Sequence, residues 1–559
     1  MRAFLFCFLS LTFTGVTAQS ATTAAARLDS LVEAYGNWRP QQSGQYWAIR
    51  SEADYQADLA TLRRLRDALP PGTHLTGQQR INRDLLEHVL DDEIFQRDFG
   101  SHRFPLDSEG GFLAGVIYRF SGQRVGTEAE YERHLATLEE LPAYFAAQID
   151  AMRRGLAEGK TSPGLIVKNC GDQIRRVLEA PVEESIFVVP VKANATWAAG
   201  AAAITRRAVY PAYQQLLDFL EREYLPALPE AIGIRSITDG AAYYEQRVRF
   251  FTTDDVSPQI VFETGQREVR RIRQEMEAVI ARTGFQGSFA DFLHFLRTDE
   301  QFYAQSAEEL LQRAAWITKR MEGLLPRYFN HLPRMPLTVE PVPAALAPNY
   351  TGGRYSPGSY GRRKAGAFWV NTYNLPSRPL YVLPALALHE GVPGHHTQMM
   401  LAAELAEQPR FRKQLYLSAF GEGWALYCEY LGKEAGIYET DYEEFGRLVY
   451  EMWRVCRLVV DPGMHYFGWS RERAVAFMAE NTALSLHEVN TEIDRYIGWP
   501  GQAVSYKMGE LKIRELRARA ESRLGEKFDL AAFHDLVLAN GAVTMATLET
   551  LVEEWMAGR

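Results

Sequence analysis

From Thr127 onward apolar residues recur mostly at third or fourth positions, with one step of seven: Tyr131, Leu135, Leu138, Phe145, Ile149, Met152 and Leu156. That spacing lines them up on one stripe of an α-helix, and Thr127 with Glu130 supplies a capping box at its start. Ser306 and Glu309 repeat the device ahead of Leu310, Ala314, Ile317, Met321 and Leu324. Weaker stripes cover residues 52–69, 78–95, 197–223, 470–481 and 500–526. Extended signals are confined to Leu337–Val342 and Gly366–Thr372, with a Gly-, Pro- and Tyr-rich loop over residues 348–361 between them. These patterns predict a mainly α fold with one small β-sheet. At 559 residues the chain exceeds one ordinary core. A boundary is expected near 325–345, dividing an N-terminal helical part (19–335) from a C-terminal part (336–559) that holds most of the distinctive residues.

The first twenty residues carry one basic group, Arg2, then an apolar run from Ala3 to Val16 and the small-x-small site Val16-Thr17-Ala18. This is the pattern of a signal peptide ending at residue 18, and the run is too short to span a bilayer at ~20 residues. The mature protein is therefore expected in the periplasm or outside the cell, with no integral membrane association. Cys7 sits too deep in the apolar run to accept a lipid at the cleavage point. Cys170, Cys428 and Cys456 lack the spacing of a metal or redox site. Buried thiols are expected, with a Cys428–Cys456 disulfide as the alternative in an oxidising compartment. A composition of 47% hydrophobic and 23% charged residues excludes a disordered or collagen-like chain, and a net charge of −9 argues against nucleic acid as a partner.

Chemistry concentrates in His389-Glu390-Gly391-Val392-Pro393-Gly394-His395-His396. In the common zinc-protease helix, His-Glu-x-x-His puts two imidazoles one turn apart on one face with the glutamate beside the metal. Here the second position is Pro393, which removes the hydrogen bond to the His389 carbonyl and clashes with it. The helix must bulge or restart, and either His395 or His396 supplies the second imidazole. A third, acidic ligand is expected on another helix. Glu422 opens an otherwise apolar run there, and Glu429 lies seven residues on, placed to orient a ligand imidazole from behind.

His389-Glu390-x-x-Pro-Gly-His395-His396, Glu422-Gly-Trp-Ala-Leu-Tyr, Asp461-Pro-Gly-Met-His465 and Arg495-Tyr496-x3-Pro500-Gly-Gln-Ala-x2-Tyr506-Lys507-x-Gly509 together resemble the DUF885 family of bacterial proteins. That family in turn resembles the gluzincin metallopeptidases, the group holding neurolysin-type oligopeptidases, carboxypeptidase Taq and angiotensin-converting enzyme. The resemblance implies one intertwined, largely helical two-sided shell around a deep cleft. It implies His389, His395 and Glu422 as zinc ligands and Glu390 as general base, with His396 the rival to His395. Tyr496, Tyr506 and His465 are candidate donors to a negative carbonyl oxygen. Arg495 and Lys507 are candidates to grip a substrate carboxylate. The stretch holding Phe368 and Val370 resembles the edge strand with which many metallopeptidases pair an extended peptide. The expectation is a secreted, zinc-dependent peptidase acting on short peptides, with cleavage near their C-termini as one mode. The alternatives are a metal-dependent amidase acting on a non-peptide or cell-wall amide, and an inactive helical protein that binds peptides.

Overall fold

The computed structural model describes residues 9–107, 111–344 and 346–559. Of the stretch read as a leader, residues 1–8, Cys7 included, lie outside the described residues, and the remainder enters the Leu9–Asn37 helix. No helix among the described residues is long and apolar enough to cross a membrane.

The fold is mainly α. Thr127 caps the Glu128–Glu158 helix by accepting the Glu130 amide, while the Glu130 carboxylate accepts the Thr127 amide. Ser306 accepts the Glu309 amide at 3.1 Å, but the Glu309 carboxylate reaches past it to the amide of Gln305. The weaker stripes are helical too, at Glu52–Asp67, Gly77–Phe99, Arg471–Asn481 and Ser505–Leu524, and the stretch at 197–223 is helical with two wider π turns. Two long helices escape the apolar pattern, Pro258–Thr283 and Asp441–His465. In the latter, Glu444, Arg447, Glu451 and Arg454 recur at helical spacing and are all buried. Paired charges thus occupy a face that the pattern reserves for apolar side chains.

The chain forms two compact units, one of Met1–Tyr244, Met464–Arg471 and Asn490–Pro500, the other of Glu245–Gly463, Glu472–Val489 and Gly501–Arg559. The Pro-rich change near 325–345 falls inside the second unit, where it introduces the sheet. Its strands are β1 (Leu337–Pro341), β2 (Gly353–Ser356) and β3 (Gly366–Val370), in the order β1-β3-β2. β3 runs parallel to β1 and antiparallel to β2. Being central, β3 has no free edge to offer a peptide. Phe368 and Val370 are 0% and 1% exposed, so the substrate-binding role read for them is corrected to core packing. β2, hidden in the glycine-rich loop, is an edge strand.

In the same unit the Ser418–Glu434 helix packs on the Ser505–Leu524 helix through two glycines. A methyl group on Gly509 would fall 2.0 Å from the Ala419 carbonyl oxygen, and one on Gly423 would fall 2.6 Å from the Gly509 backbone. Backbone meets backbone here, which fixes the height of the helix that carries Glu422.

The three described cysteines are free and buried, so the Cys428–Cys456 disulfide does not form. Burial pushes the Cys170 and Cys456 thiols up to about 12, which leaves them protonated and inert.

Two buried histidines give the fold an acid-sensitive element. In the first unit, His465 accepts the Ile234 amide at Nδ1 and donates from Nε2 to the Tyr496 carbonyl. In the second, His534 donates from Nδ1 to the Tyr328 carbonyl and accepts the Tyr427 hydroxyl at Nε2. With both nitrogens committed, burial pushes each ring down to about 4. The unfolded chain takes up these protons as pH falls below 6.5, while the folded chain resists until about 4. Stability is therefore full above pH 6.5, is withdrawn between 6.5 and 4, and loses roughly 3 kcal/mol per histidine. The urea midpoint should fall accordingly between pH 7.5 and 4.5, with a smaller fall in His534→Gln; equal falls in the two proteins would contradict this origin.

Candidate metal centre

The Leu383–Glu390 helix ends directly after His389 and Glu390, and a new helix, His395–Ala403, begins at His395. The four residues between them fold back onto the first helix: Gly391 N–H donates to the Ala387 carbonyl and Gly394 N–H to that of Leu388. Gly394 is required by this approach, because a Cβ there would lie 2.0 Å from the His389 carbonyl oxygen. Trp424, on the Ser418–Glu434 helix, clamps the loop from the other side by donating its indole N–H to the Pro393 carbonyl at 2.9 Å. The helix restarts, as the proline demands.

This loop brings His395 beside His389, with ring centroids 4.9 Å apart at 88°. The Nε2 atoms of both rings lie 3.4 Å from one oxygen of Glu422, Oε2. Among the described residues, these three form the His/Cys/Asp/Glu group that could hold a metal ion, their donor atoms all lying within 4.8 Å of one another. His396 is not part of it. Its Nδ1 bonds the Tyr355 hydroxyl and its Nε2 the Met335 carbonyl, both at 3.0 Å, so the reading of His396 as an alternative ligand is corrected.

The donor set fits zinc. Ligands about 2.0–2.1 Å from a tetrahedral ion are separated by roughly 3.4 Å, whereas a good N–H···O bond is shorter, about 2.9 Å. The two 3.4 Å separations therefore match edges of a coordination tetrahedron better than a pair of hydrogen bonds. On its far side, His389 Nδ1 lies 2.8 Å from Oε1 of Glu429, a carboxylate only 1% exposed. That contact leaves Nε2 as the free donor atom. Glu422 Oε1 accepts the Tyr416 hydroxyl at 2.7 Å, which leaves Oε2 to the imidazoles.

The charges are matched to a cation. Burial alone would lower His389, but the facing carboxylates of Glu422 and Glu429 and the charge of Glu390 carry it up to about 9. Burial alone would raise Glu422, and His395 and His389 instead hold it well below the usual carboxylate range. Tyr416 is half accessible to solvent, yet crowding and then the charge of Glu422 hold its hydroxyl well above the ordinary phenol range. Glu390 is partly exposed, and its Oε2 accepts the backbone N–H of Tyr355 on β2 at 2.7 Å.

Other residues read from the sequence lie elsewhere. His465 has both ring nitrogens engaged, so its role as oxyanion donor is corrected to a structural one. Tyr496 is fully buried in the first unit and donates to Glu492, which also pairs with Arg495. These residues form a local hydrogen-bonded group, which accounts for Tyr496 and Arg495 without a substrate. Lys507 is 0% exposed, with its ammonium 2.7 Å from Glu451 and 2.8 Å from Glu510. Its carboxylate-gripping role is corrected: it neutralises buried acids. Tyr506 carries the Arg457 guanidinium 4.4 Å over its ring and influences the ionisation of both Tyr416 and Arg354. Sequence reasoning missed Tyr416, the Trp424 clamp and the Tyr355 amide. Of these, only Trp424 stood inside a quoted motif.

The profile of DUF885, bacterial protein of unknown function, matches residues 34–552. A crystal structure described as "the putative lipoprotein from Colwellia psychrerythraea" is 27% identical with a TM-score of 0.83, over 97% of this chain and 99% of that one. A structure from Shewanella oneidensis, described as "a putative lipoprotein of unknown function", superposes with a TM-score of 0.72 over 96% and 99%. At 19% identity the latter speaks to the fold alone. No curated protein matches the chain.

Proposed function

The chain belongs to the DUF885 family of bacterial proteins, and from that premise we propose that it is a zinc-dependent metallopeptidase of gluzincin type acting on short peptides. The observation that carries this reading is the convergence of two imidazole Nε2 atoms on one Glu422 oxygen, directly beside Glu390. Zinc held by His389, His395 and Glu422 supplies Lewis acidity, polarising a carbonyl and lowering the pKa of water towards ~7. The chain's own residues do the rest. Glu390, steadied by the Tyr355 amide, takes a proton from the attacking water and returns it to the departing amine. Glu429 holds the His389 ring in the tautomer that presents Nε2. Tyr416 fixes the Glu422 carboxylate, and Tyr506 is the remaining phenol to donate towards the carbonyl oxygen.

We place this activity after export, a reading supported by the leader pattern of residues 1–18 and by the lipoprotein description of the similar structure from Colwellia psychrerythraea. Purified protein should carry about one zinc per chain by elemental analysis. Chelation should abolish cleavage of a quenched fluorescent peptide, and added zinc should restore it. A chain that neither retains nor takes up zinc, or that cleaves peptides equally well after chelation, would remove the proposal.

A further inference from the structure

With Lys507 sealed among carboxylates and Arg495 paired to Glu492, both cations read as substrate grips are spent. Arg354 was not among them. It stands on the edge strand β2, one residue before Tyr355, whose backbone amide holds the Glu390 carboxylate. Because side chains alternate across a strand, Arg354 points away from the face on which Tyr355 packs against His396. It shares its own face with its cross-strand partner Trp369 and with Tyr350, whose ring centre lies 5.9 Å from the guanidinium. Arg354 is exposed, and among the described residues it has no carboxylate partner.

Its surroundings still bear on it electrically. Crowding would lower the guanidinium, and Tyr350, Glu390, Tyr506 and Glu422 more than offset that effect. An unpaired arginine beside the base and the carboxylate ligand is a planar fork available to an incoming anion. A peptide residue spans about 3.5 Å, so a carboxylate one or two residues beyond the scissile bond falls within the range of an arginine side chain anchored next to Tyr355.

We propose that Arg354 anchors the free C-terminal carboxylate of the substrate, so that the enzyme trims short peptides from their C-terminal end. This inference rests on the peptidase reading and names the substrate class of the same site. The test uses one N-blocked tetrapeptide as free acid and as C-terminal amide, with zinc-loaded wild type, Arg354→Gln and Arg354→Lys. Wild type should favour the acid by about 10- to 100-fold in kcat/KM, mainly through KM. The ratio should collapse to about one in Arg354→Gln and stay intermediate in Arg354→Lys, which keeps the charge without the fork. An unchanged ratio in Arg354→Gln, or no preference in wild type, overturns the anchor.

Calorimetric binding of both peptides to zinc-loaded Glu390→Gln separates the two levels of inference. If binding favours the acid through Arg354 while wild type cleaves neither peptide, the anchor stands and the peptidase reading falls. If cleavage proceeds with no acid preference in either binding or turnover, the anchor falls alone.

Discussion

Glu390→Gln is expected to keep about one zinc per chain and to lose peptide hydrolysis by about 10³-fold, within the 10²–10⁴ that a positioned proton carrier contributes. Glutamine preserves the volume and still offers an oxygen to the Tyr355 amide, so the tether to β2 survives. It cannot carry a proton between water and amine. Comparing kcat with zinc content checks the assignment. Activity retained within tenfold would place the base elsewhere, and loss of zinc with the activity would make Glu390 a metal-binding residue.

Glu422→Ala is the second large effect. Structural zinc sites with four ligands bind with about 10–16 kcal/mol, so removing one ligand should weaken retention by about 10³-fold or more. The substitution also leaves the Tyr416 hydroxyl without its acceptor and His389 and His395 without the carboxylate between them. Glu429→Gln provides the scale, because it removes only the charge behind His389 and should cost about 10- to 100-fold. A competition titration against a chromophoric chelator measures both. Equal losses in the two variants, or full zinc retention in Glu422→Ala, would contradict the ligand set.

Much of this was legible before any coordinates. The stripe after Thr127, the Ser306 cap and the clustering of extended signals led to a helical chain with one small sheet, because local spacing alone decides such elements. Pro393 disclosed that the histidine helix had to bulge or restart. Choosing between His395 and His396 required the partners of His396, Tyr355 and Met335, which lie 41 and 61 positions away in the chain. Lys507 and His465 misled for a physical reason: a buried ion pair and a buried neutral imidazole use the same residue types as a binding site. Phe368 and Val370 were assigned to an edge because β2 is only four residues long and rich in glycine and polar groups, too weak a pattern to announce the strand that covers β3. Tyr416 stands six positions before Glu422 with no motif to mark it.

The turn between the two histidines has a wider implication. A search for His/Glu metal-binding groups that assumes one unbroken coil between first and second imidazole would pass over this chain. Here the interval is set by a glycine pressed onto carbonyl groups and an indole holding the chain's reversal in place. The relevant signature is thus a pair of helix ends plus a distant tryptophan, and hunting for that combination would recover donor groups whose linear spacing looks wrong.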